Sequence, residues 1–276
     1  MTAHTDHAWD IRIEHLDGGY GDHLVLSDLS TCLPGGAISV ILGESGCGKT
    51  TLLRIILGLT APRSGRILLG GRDIFSLSSR QFHKVRRRFG VLFQDGALLG
   101  ALTLAENVAL PLREHTTLPQ NMLREAAMRT LQLVGLEAFA DFYPSELSGG
   151  MRKRAGLARA IVTEPPVLFC DEPTSGLDPI TAAQMDQLLL DMKRHYPHMT
   201  TVVITHDLGS VAHIADHVLV IRKGQAVFSG SRQALESSDD PYIRQFLDRK
   251  PEEARRMVAP PLDAVVRSAL AEWLDD

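Results

Sequence analysis

The segment GESGCGKT, residues 43–50, constrains this chain more than any other. It has the spacing G-x-x-x-x-G-K-T, follows the apolar run 37–42 and precedes the helical run 51–57, which is the strand–loop–helix setting of a phosphate-binding loop. In such a loop backbone N–H groups converge at a helix N-terminus, where the partial positive charge favours an anion. Glycine lets the backbone come that close. Lys49 is expected to reach the β and γ phosphates of a nucleotide, and the Thr50 hydroxyl to ligate Mg²⁺. The candidate cradle is therefore Gly43, Glu44, Ser45, Gly46, Cys47, Gly48, Lys49, Thr50 and Thr51.

Short β-branched runs alternate with helical patterns, which predicts an α/β fold: a P-loop NTPase core with a mostly parallel central sheet. Strands are expected at residues 11–16, 37–42, 67–69, 91–93, 167–170, 201–205, 217–221 and 225–228. Between Gly96 and Val162 the strand signal disappears, and two helical patterns, 121–134 and 151–162, read as a helical subdomain inserted into the core. A last core helix is expected near 241–247, then a linker, 248–261, with Pro251, Pro260 and Pro261 amid charges. Beyond it Leu262, Val265, Val266, Ala269, Leu270 and Trp273 recur at helical spacing and form one apolar stripe, to pack on its own domain or on a neighbouring subunit. The domains are thus 9–247, with the helical insert at about 96–162, and a tail of 248–276.

A second chemical signal is VLFCDEP, residues 167–173, an apolar strand that ends in two carboxylates. Phosphoryl transfer needs a metal ligand and a group that positions the attacking water. Asp171 suits the first role; Glu172, on the other face of an extended segment, suits the second. Charge removes other classes. Lys and Arg number 29 against 33 Asp and Glu, so the basic excess expected of a nucleic-acid binder is missing. The apolar runs fall short of the roughly 18 residues of a membrane span, and the start, MTAHTDHAWD, has no signal or transit pattern, so the expected address is the cytoplasm. Cys32, Cys47 and Cys170 are too scattered for a disulfide framework or a metal site. Cys47, beside a lysine at a helix N-terminus, is either a thiol of lowered pKa or a small residue filling the loop.

The third signal is LSGGMRKRAGLARAI, residues 147–161. Ser148, Gly149 and Gly150 open a helix whose free N–H groups form a second anion site; the alternative is an ordinary capped loop, with Arg152, Lys153 and Arg154 an ordinary solvated face. These residues resemble the signature of ABC transporter ATP-binding subunits, and the resemblance covers roughly residues 9–247. It implies an N-terminal antiparallel β subdomain, and a head-to-tail dimer in which one copy's signature closes over the γ-phosphate of ATP held by the other. Other positions match that pattern singly. Tyr20 in GGYGDH resembles the aromatic that stacks on adenine, and by itself is as good a loop anchor. Gln94 in LFQDG resembles the glutamine that touches Mg²⁺ and reports nucleotide state to the permease. Asp178 in SGLD resembles the loop that crosses the dimer interface, and His206 in VVITHD the switch histidine at the γ-phosphate.

Residues 93–116, FQDGALLGALTLAENVALPLREHT, and the Met of LSGGM resemble the ATPases that work with Mce-domain proteins in phospholipid transport of the maintenance-of-lipid-asymmetry type. Ala97, Leu98, Leu99 and Leu102 there serve either a permease or local core. The resemblance implies ATP hydrolysis coupled to lipid movement on the cytoplasmic face of the inner membrane. Its partners would be a second copy of the chain, an integral membrane permease, an Mce-domain lipid-binding protein and a small accessory subunit. The alternative is the ATPase of an importer for amino acids or ions.

Overall fold

The computed structural model describes residues 8–248, 250 and 262–275, in two compact units that divide between Ser237 and Ser238. In the first unit β1 (Ile11–Tyr20) and β2 (His23–Leu33) form a hairpin. β3 (Ile38–Leu42) leads through the glycine-rich loop into α1 (Lys49–Ile56). β4 (Ser64–Leu69), β5 (Arg72–Asp73) and α2 (Ser79–Arg86) precede β6 (Phe89–Leu92). The helical insert follows as α3 (Leu104–His115), α4 (Gln120–Leu133) and α5 (Gly149–Ile161). The chain then runs through β7 (Val167–Asp171), α6 (Pro179–His195), β8 (Thr200–Ile204), α7 (Leu208–Ile214), β9 (His217–Arg222), β10 (Gln225–Ser231) and α8 (Arg232–Glu236).

One sheet is antiparallel, in the order β2-β1-β4-β5. The other runs β10-β9-β3-β8-β7-β6, parallel from β9 to β6 with β10 antiparallel at one edge. Every residue of β3 and β8 is buried, as expected of central parallel strands covered on both faces. α1 lies between the sheets: Leu52, Ile55 and Ile56 share one apolar core with Ile11, Leu16 and Leu29 of the antiparallel sheet and Ile41, Val202 and Leu219 of the other. The insert has its own core, built on Leu104, Val108, Leu123, Leu131 and Ala158.

The parallel order decides where the chemistry sits. β3, β8, β7 and β6 are consecutive neighbours pointing the same way, so the loops after Leu42, Ile204, Asp171 and Leu92 emerge along one edge. That carboxyl edge is where open α/β sheets bind ligands.

The structure adds an α-helix that the apolar spacing does not predict: α3 is the third in the insert, opens on a capping box of Thr103 and Glu106 and carries Pro111 inside it. In the second unit α9 (Pro241–Leu247) begins at the predicted position, with Asp240 accepting from Tyr242 N and Ile243 N. The expected linker 248–261 lies outside the described residues apart from Asp248 and Lys250. α10 (Ala264–Asp275) carries the predicted stripe, with Val265, Val266, Leu270 and Trp273 exposed. Among the described residues no helix is long and apolar enough to cross a membrane.

Candidate functional site

The glycine-rich loop is held open by its own backbone. Gly43 adopts φ 154°, and a β-carbon there would lie 2.3 Å from the Ile221 carbonyl oxygen, so only glycine lets the loop leave β3 against its neighbour. Gly48, at φ 113°, is the N-cap of α1 and has no side chain to accept from the first-turn N–H groups, which a phosphate can then take. Cys47 N donates to Glu44 O at 3.2 Å and Gly224 N to Cys47 O at 3.2 Å, fixing the curl. Lys49 is buried; its Nζ donates to Gly43 O at 2.7 Å and Glu44 O at 2.9 Å. Among the described residues its third hydrogen meets only Cys47 Sγ, at 3.9 Å, a weak acceptor that an anion in the loop can replace. Glu44, Ser45, Gly46 and Thr50 are exposed at the mouth, and Thr51 is buried beneath it.

Cys47 departs from the reading as an activated thiol. It is 7% exposed, and burial pushes its thiol up, outweighing the opposite pull of Lys49.

At the end of β7 the carboxyl of Asp171 is pushed up by burial and by the charge of Glu172, partly offset by Lys49. Glu172 does not continue the strand as expected. It turns into the left-handed region at φ 49°, with its N–H donating to Ile204 O at 2.9 Å across to β8. That turn swings its side chain to His206, whose Nδ1 lies 3.0 Å from Glu172 Oε1. The other oxygen, Oε2, is buried and has no partner among the described residues. A buried carboxylate oxygen without a donor is costly, and it is the kind of acceptor a water molecule completes. His206 itself is exposed and turned towards Glu172.

Gln94 is exposed two residues beyond β6. The bend after it is clamped by α5: Arg159 donates to Ala97 O at 2.7 Å and Gly96 O at 2.8 Å. Tyr20 is exposed at the tip of the β1–β2 hairpin, with Arg54 of α1 5.8 Å from its ring centroid, a cation–π contact. Asp178 caps α6, accepting from Ile180 N, Thr181 N and the Thr181 hydroxyl, which hold its carboxyl below the usual range.

Ser148 is the N-cap of α5; its hydroxyl accepts from Met151 N at 3.2 Å, and Gly149 beside it is exposed. Gly150 is buried against Thr181, whose Cγ2 would be 2.6 Å from an added β-carbon, so the tip of α5 abuts the start of α6. The basic run that follows is not a solvated face. Arg152 Nη1 donates to Leu147 O at 2.6 Å, Arg154 Nη1 to Val134 O at 3.1 Å, and Lys153 is buried on the Glu172–Ser175 turn.

The structure thus gathers Lys49, Asp171, Glu172 and His206 into one cluster at the sheet edge and sets Ser148, Gly149 and Gly150 on the helical insert. Sequence reasoning missed Arg54, Lys153 and Arg159. Only the interruption of the apolar pattern of α5 by cations marked the latter two. Among the described residues no group of three or more His, Cys, Asp or Glu could hold a metal ion.

Known proteins resemble this chain in sequence and in fold. The family model for the ABC transporter matches residues 26–175. A Mycobacterium leprae protein named "Probable ribonucleotide transport ATP-binding protein mkl" is 42% identical over 86% of this chain, a match spanning 68% of its own length. The intermembrane phospholipid transport system ATP-binding protein MlaF of Escherichia coli K12 is 45% identical over 83% of this chain and 84% of its own. The dimeric post-hydrolysis structure of the ATP-binding cassette MJ0796, bound to ADP and Pi, superposes with a TM-score of 0.72 at 29% identity, over 80% of this chain and 98% of that one. With its phosphate loop, paired acids and signature helix placed as described, this chain belongs to the ABC transporter family as an ATP-binding, ATP-hydrolysing subunit.

Proposed function

We propose that the chain, with residues 9–247 as its ATPase domain, works as a head-to-tail homodimer on the cytoplasmic face of the inner membrane. There it drives a permease that moves phospholipid or a related lipid between membranes with an Mce-domain partner. The observation that carries the hydrolytic part is Glu172, with Oε1 held by His206 and Oε2 buried and unpartnered beside the phosphate loop. The dimeric form of the ADP-bound relative supports the dimer, and the phospholipid transport name of a 45% identical relative supports the cargo.

In this reading the N–H groups of residues 43–51 bind the phosphates and Lys49 turns its third hydrogen to them. Tyr20 stacks on the adenine. Glu172 Oε2 accepts from the attacking water and takes its proton, while His206 Nδ1–H donates to Oε1 and holds the carboxylate in place. Ser148, Gly149 and Gly150 of the second copy close over the γ-phosphate, and Asp178 stands at the interface. The raised carboxyl of Asp171 beside a second acid fits a divalent cation, and Thr50, Gln94 and Asp171 would hold Mg²⁺. When bound, the ion neutralises charge on the β and γ phosphates.

Two variants test the division of roles. Glu172→Gln should bind ATP and keep the closed dimer while turnover collapses, and Lys49→Ala should weaken binding itself; equal loss of binding in both contradicts the assignment. For cargo, the complex purified with its membrane subunits should carry phospholipid and transfer labelled phospholipid only with ATP. A complex that carries a polar solute and no lipid overturns the lipid reading.

A further inference from the structure

Lys153 sits one and a half turns into α5, five residues beyond Ser148 and about 7.5 Å along the helix axis at 1.5 Å per residue. It is 6% exposed, and all its described hydrogen bonds go to one turn: Nζ donates to Glu172 O at 3.0 Å, Ser175 O at 2.6 Å and Ser175 Oγ at 3.1 Å. Three donors on three acceptors saturate an ammonium. Among the described residues no carboxylate lies within ion-pair distance of it, though the charges of Asp95 and Glu172 reach it, so the helix keeps a buried cation there held directly by two carbonyls and one hydroxyl. Burial pulls its pKa down, which shows the cost of that placement.

The turn it grips begins with the water-activating residue and is under strain. Glu172 lies at φ 49°, a conformation that costs a non-glycine residue free energy unless its surroundings impose it. Ser175 adds a bond from its own hydroxyl to Glu172 O at 3.1 Å and from its N–H to the same oxygen at 3.2 Å. Where the segment ends and α6 starts, Gly150 abuts Thr181 and Leu177. The segment from Glu172 to the start of α6 is therefore held at both ends by the helix that Ser148 caps. In the dimer proposed above, that serine docks on the nucleotide of the second copy, while Glu172 serves the nucleotide of its own.

We propose that Lys153 is a positioning residue that ties the signature helix to the Glu172 turn, so that docking of Ser148 on one nucleotide sets the water-activating carboxylate for the other. This rests on the dimer reading. Lys153 touches no nucleotide; it acts through Glu172, and a small displacement of such a group costs a large factor in rate.

The test uses the full-length chain. Lys153→Met keeps the length and apolar stem of the side chain and removes the donors. Its kcat should fall about ten- to a hundredfold. Its ATP affinity, its melting temperature and its dimer with a non-hydrolysable ATP analogue should stay within about twofold, or a few degrees, of the parent. Lys153→Arg should recover most of kcat. Ser175→Ala, a milder cut in the same link, should lose part of it. Unchanged kcat in Lys153→Met overturns the proposal, and so does a loss of ATP affinity or melting temperature that accounts for the loss of rate. If the parent chain itself forms no analogue-dependent dimer, the dimer reading fails and takes the proposal with it. If the parent dimerises and Lys153→Met still turns over normally, only the proposal fails.

Discussion

Gly156 lies inside α5, and replacing it with alanine sets two effects of opposite sign against each other. In an open helix Gly→Ala stabilises by about 1 kcal/mol, because alanine loses less backbone freedom on folding. Here an added β-carbon would lie 2.9 Å from Gly96 Cα, 2.9 Å from Gly96 O and 3.0 Å from Leu92 Cδ1. The two nearest atoms are backbone, and that backbone cannot retreat freely. Gly96 is at φ 75°, its oxygen is tied to Arg159, and its own β-carbon position is 2.7 Å from Arg152 O. Overpacking of this kind costs about 1–3 kcal/mol, and contact with a braced backbone puts it in the upper part of that range. The clash wins by about 1–2 kcal/mol, and at about 2–4 °C per kcal/mol for a domain of this size the melting temperature should drop by about 2–8 °C. Gly149→Ala is the control, since nothing lies closer than Arg152 Nη2 at 4.0 Å, and it should melt no lower than the parent. Calorimetry of the two variants decides the matter. A Gly156→Ala protein that melts at or above the parent temperature would refute the close contact of α5 with the bend after Gln94.

Asn107 is fully buried and holds the loop before α3, its Oδ1 accepting from Leu99 N and the two hydrogens of its Nδ2 shared among Leu99 O, Leu102 O and Thr103 O, each at 3.0 Å. Asn107→Ala should cost about 2–4 kcal/mol by the net value of such bonds, read as a fall in denaturation midpoint; a change below about 1 kcal/mol contradicts the network. Cys47, buried with its thiol pushed up, should react with an alkylating agent far more slowly than exposed Cys32 in the native chain, as peptide mapping after brief labelling would show. Burial raises the carboxyl of Asp186 in α6, an effect that outweighs the Ser210 hydroxyl and nearby His213. A raised carboxyl means the fold disfavours the ionised form, so this penalty is absent below the unfolded pKa and grows as pH rises through the folded one. The stability of Asp186→Asn relative to the parent should therefore increase from pH 4 to pH 7; a flat or inverse difference contradicts the sign.

Much of the site was legible because its residues are consecutive. The phosphate loop follows an apolar strand and opens a helix, and VLFCDEP and VVITHD are apolar runs that end in polar residues, so strand ends and chemistry coincide in the sequence. Other elements leave weaker traces. β2 went unpredicted because Asp28, at φ 49°, interrupts the alternation that marks a strand. α2 has no buried residue and hence no apolar stripe. The left-handed turn at Glu172 is imposed by neighbours distant in sequence, Ile204 and Lys153, and no local pattern encodes it. Lys153 shows the same limit: between Arg152 and Arg154 a buried cation looks like a solvated one until the turn beneath it is seen.

The central claim is that each ATP is gripped by one copy's residues 43–51 and completed by another copy's Ser148, Gly149 and Gly150. A crystal structure of Glu172→Gln with ATP and Mg²⁺ tests it most directly. The account predicts two chains facing head to tail, with the Ser148 end of each α5 on the γ-phosphate held by the other chain's Lys49. A nucleotide bound in the loop of a lone chain, with Ser148 facing solvent, would contradict it.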